Sequence, residues 1–270
     1  MAYTTIRYEI ADHVAQLTLD RPERLNAMNR VMLEEINRAC DAAEGDSAVR
    51  VMVVTGAGTA FSSGFDLKEQ MAAQPSGAAA WRKILDDDFG ATMRFWSLSK
   101  PTIAAVHGPC LAGACELALA CDLTIAAEDA VFGEPELKFG AGIVTMILPW
   151  VTGPKQAKEI IFNGLDDVSA REALRLGLIN RVVPKGEDVE TALAMARRIA
   201  VVDPDLVRET KRAINSAYEF MGMGKALAAA LDIDHGIESR GSPDKRRFME
   251  IARAEGLRAA IAWRDRRFSG

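Results

Sequence analysis

Apolar and polar residues change their spacing several times along the first half of the chain. IRYEI and VAQLTLD, separated by ADH, are typical of the two strands of a β-hairpin. After the turn RPERLNAM, apolar side chains recur with helical spacing at Met32, Ile36, Ala39 and Ala43. Asn29 precedes this stripe at the position of an N-cap. Residues 49–56, VRVMVVTG, form a β-branched apolar run without alternation, which predicts a strand covered on both faces.

A second series of apolar segments follows the loop GAGTAFSSGFDLKE and a predicted helix at residues 79–97. KPTIAAVHG favours a strand, LAGACELALA a helix, and DLTIAAE a further strand. Ser169 and Glu172 form a capping box in SAREALRLG, and Gly177 ends that helix before LINRVV. Strands that alternate with helices in this way predict a layered α/β fold.

The last third of the chain has no segment typical of a strand after about residue 187. Asp203 with Pro204, and Ser242 with Pro243, each combine an N-cap residue with a proline in the first helical turn. We therefore expect this part of the chain to consist of helices.

The composition argues against several classes of protein. The net charge of −5 over 270 residues argues against a broadly basic surface for nucleic acid. The first residues, MAYTTIRYEIADHV, lack the apolar stretch of a signal peptide, and charges interrupt each apolar run before it reaches the length of a membrane span. We expect no membrane partner.

Cysteine and histidine residues give no pattern of a metal site or a hydrolase triad. Four cysteines without a C-x-x-C pair indicate buried free thiols in a reducing compartment, which favours a cytoplasmic location: Cys40, Cys110, Cys115 and Cys121. His13, His107 and His235 fall in separate elements without a G-x-S-x-G motif, so we interpret them as structural.

Two glycine-containing turns are candidates for binding an anion. GAGTAFSSG fails as a dinucleotide-binding loop, because Phe61 occupies the place of the third glycine. Gly64 precedes Phe65, and Gly113 lies at the start of a predicted helix, where N–H groups lack helical partners. Together these turns could donate hydrogen bonds to an oxyanion; separately, each glycine could serve only to permit a tight turn.

Four acidic residues occur in or beside apolar stretches. Glu116 lies within CELALA, where a lone carboxylate is costly unless it is paired, hydrated or protonated, and both a structural and a functional interpretation stay open. Asp122 is interpreted as a cap between a helix and a strand. FGEPELKF places Glu134 and Glu136 on either side of Pro135, and local geometry does not decide whether either is catalytic.

Three motifs together resemble the crotonase family of enoyl-CoA hydratases and isomerases. They are AFSSGFDLKE, GPCLAGACELALACDLTIAAEDAVFGEPE and LRLGLINRVVP, and the similarity extends from RPERLNAMN to EGLRAAIAWRDRRF. The resemblance implies an α/β fold with a crotonase-like core of ββα spiral turns that binds acyl-CoA, at residues 1–195. It also implies an all-helical region at residues 196–270 that drives assembly into a homotrimer or a dimer of trimers.

The resemblance assigns roles to individual residues. The N–H groups of Phe65 and Gly113 would form an oxyanion hole for the thioester carbonyl, Glu116 would activate water, and Glu136 would exchange a proton with C2. Glu134 would be a loop residue. The residues expected to bind the CoA and acyl portions are Arg24, Leu25, Ser63, Gly64, Asp66, Leu67 and Lys68. The implied reaction needs no metal and no cofactor, because coenzyme A is part of the substrate.

One segment departs from the family pattern. Where family hydratases commonly carry a proline and a run of glycines, this chain has LKFGAGIVTMILPWVTG. Phe65 is also larger than the residue often found at that position, so we expect an altered acyl pocket. Hydration is the expected reaction, with double-bond isomerisation as the nearest alternative, and thioester hydrolysis or decarboxylation also left open.

The basic tail DKRRFMEIARAEGLRAAIAWRDRRF is interpreted as a packed helical segment with a solvated arginine face. Contact of its arginines with CoA phosphates across a subunit interface is an alternative. A non-catalytic, RNA-binding homologue is the alternative from a different class of function.

Overall fold

The computed structural model describes residues 3–268, in which strands and helices alternate over the first two thirds of the chain. The strands are β1 (Ile6–Ala11), β2 (Val14–Leu19), β3 (Val51–Gly56), β4 (Thr102–Val106), β5 (Pro109–Leu111), β6 (Leu123–Ala127), β7 (Val131–Gly133), β8 (Val168–Ser169) and β9 (Arg181–Val183). β1 and β2 form the predicted antiparallel hairpin.

The larger sheet has the strand order β1-β2-β3-β4-β6-β9, and all pairs after the hairpin are parallel. Its two faces contact different helices because successive side chains of a strand point in opposite directions. Val51 and Val53 belong to one buried cluster, whereas Met52 and Val54 belong to the other. The prediction that residues 49–56 contain a strand buried on both faces is therefore confirmed for β3.

The helices account for most of the remaining chain. They are α1 (Arg30–Gly45), α2 (Leu67–Ala73), α3 (Gly77–Ser97), α4 (Gly113–Ala120), α5 (Leu148–Thr152), α6 (Pro154–Asn163), α7 (Ala170–Leu176), α8 (Asp188–Ala200), α9 (Pro204–Phe220), α10 (Met223–Arg240), α11 (Pro243–Glu255) and α12 (Leu257–Arg266). The predicted all-helical tail is confirmed for the described residues after β9. α2, α5 and α6 lie in segments for which no helix was predicted.

The predicted helix caps are present. The Asn29 side chain accepts a hydrogen bond from the Met32 N–H at 3.0 Å, and Ser169 accepts one from the Glu172 N–H at 3.2 Å. Asp203 and Ser242 cap α9 and α11 in the same way. These bonds satisfy N–H groups that have no partner inside the helix.

A smaller sheet, with the order β5-β7-β8, was not predicted from the sequence. Each of its strands has only two or three residues, too few to show an alternating pattern. β5 pairs in parallel with β7, so the chain segments that follow these two strands leave the sheet at the same edge. α4 begins after β5 and FGEPE continues after β7, which brings their side chains to one place.

The two-part division of the chain stays a prediction. The border predicted between residues 195 and 196 falls inside α8, whose Ala192, Ala196 and Ala200 pack together on the larger sheet. A border would therefore lie between α8 and α9. Residues 1–2 and 269–270, which the predicted regions include, lie outside the described residues. Within residues 3–268, every helix is too short or too polar to cross a bilayer.

The cysteines and His107 have the structural surroundings expected of them. All four cysteines are buried and free. His107 Nδ1 lies 2.9 Å from Asp188 Oδ2, which joins the end of β4 to the start of α8. This hydrogen bond is the main cause of the raised pKa of His107, and burial of the ring opposes it.

Candidate active site

Two turns meet at the N-terminus of α4. The Gly64 carbonyl accepts a hydrogen bond from the Met28 N–H at 2.8 Å. Because the C=O and N–H of a trans peptide point in opposite directions, the Phe65 N–H faces away from Met28. The Ala112 carbonyl accepts from the Glu116 N–H, so the Gly113 N–H points out of the helix terminus. Neither the Phe65 nor the Gly113 N–H has a hydrogen-bond acceptor among the described residues.

Close backbone approach explains why glycine occupies both turns. A Cβ on Gly64, whose φ is 92°, would lie 2.9 Å from the Leu111 carbonyl oxygen and 3.4 Å from the Gly113 nitrogen. A Cβ on Gly113 would lie 2.6 Å from Cδ2 of the Phe65 ring. The two turns are therefore in van der Waals contact, and the large Phe65 side chain covers the start of α4.

The backbone before α4 is held in an uncommon conformation. Ala112 has φ 56° and ψ −137°, a backbone conformation that residues other than glycine rarely adopt. Its N–H donates to the Gly133 carbonyl at 2.8 Å, and the Leu111 N–H donates to the Ser62 carbonyl at 3.1 Å. These bonds stabilise the turn and fix the direction of the Gly113 N–H.

Asn26 fixes the other turn from inside the protein. This side chain is fully buried, and its Nδ2 donates to the carbonyls of Ala57 and Ala60, each at 2.8 Å. Its Oδ1 accepts from the Arg21 N–H at 2.9 Å. Asn26 of the motif RPERLNAMN thus anchors the loop that leads to Phe65. The sequence motif alone did not reveal this role.

The residues predicted to bind CoA form one surface region beside these turns. Ser63 donates its N–H to the Leu25 carbonyl at 2.9 Å, which joins the RPERLNAM turn to the loop before α2. Arg24, Leu25 and Lys68 are exposed there. Leu67 packs against the cluster formed by Phe139 and the C-terminal helices.

Asp66 has a structural part in this region. Its carboxylate accepts from the Lys68 N–H at 3.0 Å as the N-cap of α2. The same carboxylate forms a largely buried ion pair with Arg21 at 2.9 Å. Its oxygens are thus occupied by contacts that hold the loop in place.

Three glutamates come together beside the turns of Phe65 and Gly113. Glu116 lies in the first turn of α4, Glu134 follows β7, and Glu136 begins a short 3₁₀ turn. One carboxylate oxygen of each lies within 4.8 Å of the others. Glu134 is in a loop, as predicted, but its side chain is buried and neither of its oxygens has a hydrogen-bond partner among the described residues. The loop position of Glu134 is thus as predicted, whereas the burial of its side chain in the cluster was not predicted.

Burial and mutual repulsion disfavour ionisation of these carboxyl groups. Burial raises the pKa of Glu136 to about 8. Burial, with the adjacent Glu136 carboxylate, raises the pKa values of Glu116 and Glu134 well above the usual range. The Thr145 N–H, which donates to Glu116 Oε1 at 3.0 Å, opposes this shift by stabilising the ionised form. The cluster therefore retains protons near neutral pH and can both donate and accept them.

Retention of these protons predicts that the stability of the protein falls as pH rises. Above about pH 4.3 glutamates of the unfolded chain release protons that the folded cluster keeps, so the free energy of unfolding decreases by about 1.4 kcal/mol per pH unit for each retained proton. We expect Glu134→Gln to reduce this decrease between pH 5 and pH 8, measured by urea denaturation. The exposed Glu128→Gln is the control. Parallel curves for wild type and Glu134→Gln would contradict the expectation.

The segment that departs from the family pattern is held by the C-terminal helices. Gly140, with φ 78°, accepts a hydrogen bond from the Ser242 hydroxyl at 2.7 Å. The Gly142 N–H donates to Glu238 Oε1 at 3.2 Å. Glu238 also pairs with Lys245, whose ammonium lies 4.2 Å from the centre of the Trp81 ring. α10 and α11 thus hold the segment that follows Glu136 in the same chain.

Sequence reasoning missed the acidic residues of α10. Asp234 and Glu238 are both buried and continue, at helical spacing, the buried stripe of Leu227 and Leu231. Charged residues on an otherwise apolar helical stripe are a signal that could have identified them. The packed interpretation of the basic tail is confirmed, since Phe248 and Ile251 are buried against Phe139.

Comparison with known proteins gives consistent results. A protein-family model described as enoyl-CoA hydratase/isomerase matches residues 9–249. A putative enoyl-CoA hydratase of Thermus thermophilus is 40% identical over 201 residues, which cover 74% of this chain and 79% of that protein. A short-chain-enoyl-CoA hydratase of Clostridium acetobutylicum is 37% identical over 221 residues, which cover 80% of this chain and 82% of that protein.

Solved structures are similar over the same range. An enoyl-CoA hydratase/isomerase from Xanthobacter autotrophicus Py2 has 62% sequence identity and a TM-score of 0.99, with complete coverage of both chains. A probable enoyl-CoA hydratase from Mycobacterium smegmatis has 34% identity and a TM-score of 0.82, and the alignment covers 89% of this chain and 96% of that one.

Proposed function

Because this chain belongs to the enoyl-CoA hydratase/isomerase family, we propose that it adds water across the 2,3 double bond of a 2-enoyl-CoA thioester. The observation that carries the proposal is the position of Glu116 and Glu136, two buried carboxyl groups next to the turns of Phe65 and Gly113. The site combines acid–base groups with backbone donors, which is what hydration of a conjugated thioester requires.

The reaction follows from these groups in order. The thioester oxygen accepts hydrogen bonds from the Phe65 and Gly113 N–H groups, each of which stabilises the enolate by about 3 kcal/mol. The reactive form of the site is the one in which Glu116 has lost its proton, a form that the Thr145 N–H stabilises by donating to Oε1. In this form Glu116 takes a proton from a water molecule whose oxygen adds to C3. Glu136 gives its proton to C2. The product gains one H and one OH, and no electron leaves the substrate, so neither a redox cofactor nor a metal is part of this scheme.

The surface beside the oxyanion turns supplies the proposed CoA site. Arg24 and Lys68 offer exposed cations to phosphate groups, and Leu25 and Leu67 offer apolar contacts to the pantetheine arm. Ser63, Gly64 and Asp66 shape the loop between them, with Asp66 acting through its bonds to Arg21 and α2.

Loss of ultraviolet absorbance from the conjugated enoyl thioester tests the function directly. We expect absorbance to fall with at least one member of a panel of 2-enoyl-CoAs that differ in chain length, and to do so equally in the presence of a metal chelator. A 3-enoyl-CoA, assayed for a gain of the same absorbance, measures isomerisation. Gain with the 3-enoyl-CoA, without hydration of the 2-enoyl-CoA, would replace the proposal with the isomerase alternative.

We also propose that the protein forms a homotrimer or a dimer of trimers. α9 carries exposed apolar side chains at Leu206 and Ile214, and Phe220 is 91% exposed. Leu206 and Ile214 line a cavity of about 710 Å³ between α9 and the core, and contiguous exposed apolar side chains are typical of an interaction surface. Sedimentation velocity is expected to give a mass three or six times that of the chain; a monomer would contradict this. The buried free thiols support our proposal of a cytoplasmic location.

A further inference from the structure

Asp234 of α10 is a buried carboxylate without a partner. Asp234 is 2% exposed, and neither of its carboxylate oxygens has a hydrogen-bond partner within residues 3–268. Glu238, one helical turn further on, bonds to the Gly142 N–H and pairs with Lys245. A buried acid that is left unpaired destabilises the fold, so its place in the site needs an explanation.

Asp234 lies between the glutamate cluster and a small cavity. Its Oδ1 abuts Gly142, where a Cβ would overlap the carboxylate. Gly142 leads directly to Thr145, which holds Glu116. On the other side, α10 packs on α3, where Asp88 lines a cavity of about 60 Å³ that extends to Phe65. The electrostatic field of Asp234 acts on both sides, since it raises the pKa values of both Asp88 and Glu136.

The cations near Asp234 are already paired with other acids. Arg30 Nη1 lies 3.2 Å from Asp88 Oδ1. Lys245, whose charge also attracts Asp234, forms its ion pair with Glu238. Within residues 3–268 the Asp234 carboxylate therefore has no protein group hydrogen-bonded to it, and it lies against Gly142, in the segment between Glu136 and Thr145. A purely aliphatic acyl group there would leave the carboxylate unsatisfied, whereas a hydroxyl or ammonium group would satisfy it.

We propose that Asp234 binds a hydrogen-bond donor, a hydroxyl or an ammonium group, carried by the acyl chain of the substrate. The proposal rests on the proposed function, because it assigns the acyl group to this side of the glutamate cluster. It makes the substrate a polar-substituted 2-enoyl-CoA rather than a straight-chain hydrocarbon one. It also gives a use to the altered segment at residues 140–146, whose Gly142 leaves room for the Asp234 carboxylate.

Binding of unreactive, saturated acyl-CoAs tests the proposal independently of catalysis. The probes are butanoyl- and pentanoyl-CoA and their counterparts with a terminal hydroxyl or amino group, titrated by calorimetry. Sites built to hydrogen-bond a substrate group reject analogues that lack it by large factors. We expect wild type to bind one of the donor-bearing series at least about 100-fold more tightly than the methyl-ended series. The hydroxyl and amino arms show which donor is preferred.

Two substitutions separate recognition from folding. Asp234→Leu is expected to remove the preference and to favour the methyl-ended probes, whereas the nearly isosteric Asp234→Asn is expected to weaken binding of the amino series while preserving the fold. The matched control is Asp232→Asn, since Asp232 is exposed on the same helix and pairs with Arg82. Thermal unfolding followed by circular dichroism confirms that each variant is folded.

The possible outcomes distinguish this proposal from the proposed function. Equal or tighter binding of the methyl-ended probes by wild type would overturn it, as would an unchanged preference in folded Asp234→Leu and Asp234→Asn. A wild-type protein that binds donor-bearing probes selectively but hydrates no 2-enoyl-CoA would support recognition by Asp234 and overturn the proposed hydration. Hydration of methyl-ended and donor-bearing enoyl-CoAs with the same kcat/KM would overturn recognition and leave hydration intact.

Discussion

Replacement of Glu136 by glutamine is expected to lower kcat for hydration by about 100- to 10,000-fold. Glutamine keeps the size of the side chain but has no carboxyl proton to give to C2. At neutral pH wild-type Glu136 holds that proton because burial raises its pKa to about 8. We expect KM to change little, since the substrate still binds the oxyanion turns and the CoA surface. Glu116→Gln is expected to cause a loss of similar size, because water then lacks a base.

Initial rates with a 2-enoyl-CoA that wild type hydrates provide the measurement. The matched control is Glu159→Gln, an exposed glutamate of α6, which should retain wild-type kcat. Folding is compared through thermal unfolding, and the variants are not expected to unfold at lower temperature, since each removes a buried acid that destabilises the fold when ionised. A Glu136→Gln enzyme with more than half of wild-type kcat would show that another group supplies the proton, and Glu134 would then be the nearest candidate.

Substitution of Gly113 by alanine is expected to lower kcat by about 100- to 1,000-fold, the effect of losing one oxyanion donor. The new Cβ would lie 2.6 Å from Cδ2 of Phe65, so either the ring or the start of α4 must move. Movement of either changes the direction of the two N–H groups, and hydrogen bonds weaken steeply as their angle departs from linearity. Initial rates under saturating substrate report the loss in kcat.

Two further variants test whether steric overlap is the cause. Phe65→Ala keeps the backbone N–H but removes the ring, so the double variant with Gly113→Ala is expected to recover much of the lost rate. Gly90→Ala is the matched glycine control, because a Cβ there meets no atom within 4 Å. If the double variant were no more active than Gly113→Ala alone, the overlap with Phe65 would not explain the loss.

Long periodic segments were predictable from the sequence, and short ones were not. The hairpin, α1, β3 and the caps at Asn29 and Ser169 follow from local patterns that tertiary contacts reinforce. The β5-β7-β8 sheet has strands of two or three residues, so its formation depends on pairing between distant segments. That sheet is what places Glu134 and Glu136 beside α4, and local sequence contains no trace of the pairing.

The candidate site was predictable only in part, for a related physical reason. Glu116 could be identified as a carboxyl group in an apolar helix. The resemblance of the surrounding motifs to the family then implied that Glu136 acts with it. The family resemblance implied that Glu134 is a loop residue, and it does lie in a loop, but no local pattern predicted that it would be only 1% exposed. Asp234 and Glu238 reach the site from a helix far along the chain, so only the folded structure reveals what they contact.

Closure of the site by α10 and α11 also bears on the order in which the chain is synthesised. Glu116, Glu136 and both oxyanion turns leave the ribosome well before Glu238 and Ser242, which hold Gly142 and Gly140 in place. Chains are synthesised from the N-terminus at about 5–20 residues per second, and N-terminal units generally fold first. A nascent chain can therefore assemble its sheets and its glutamates while the acyl pocket is still open to water. We therefore expect a chain that still lacks α11 to be inactive, so that synthesis itself would delay the onset of catalysis.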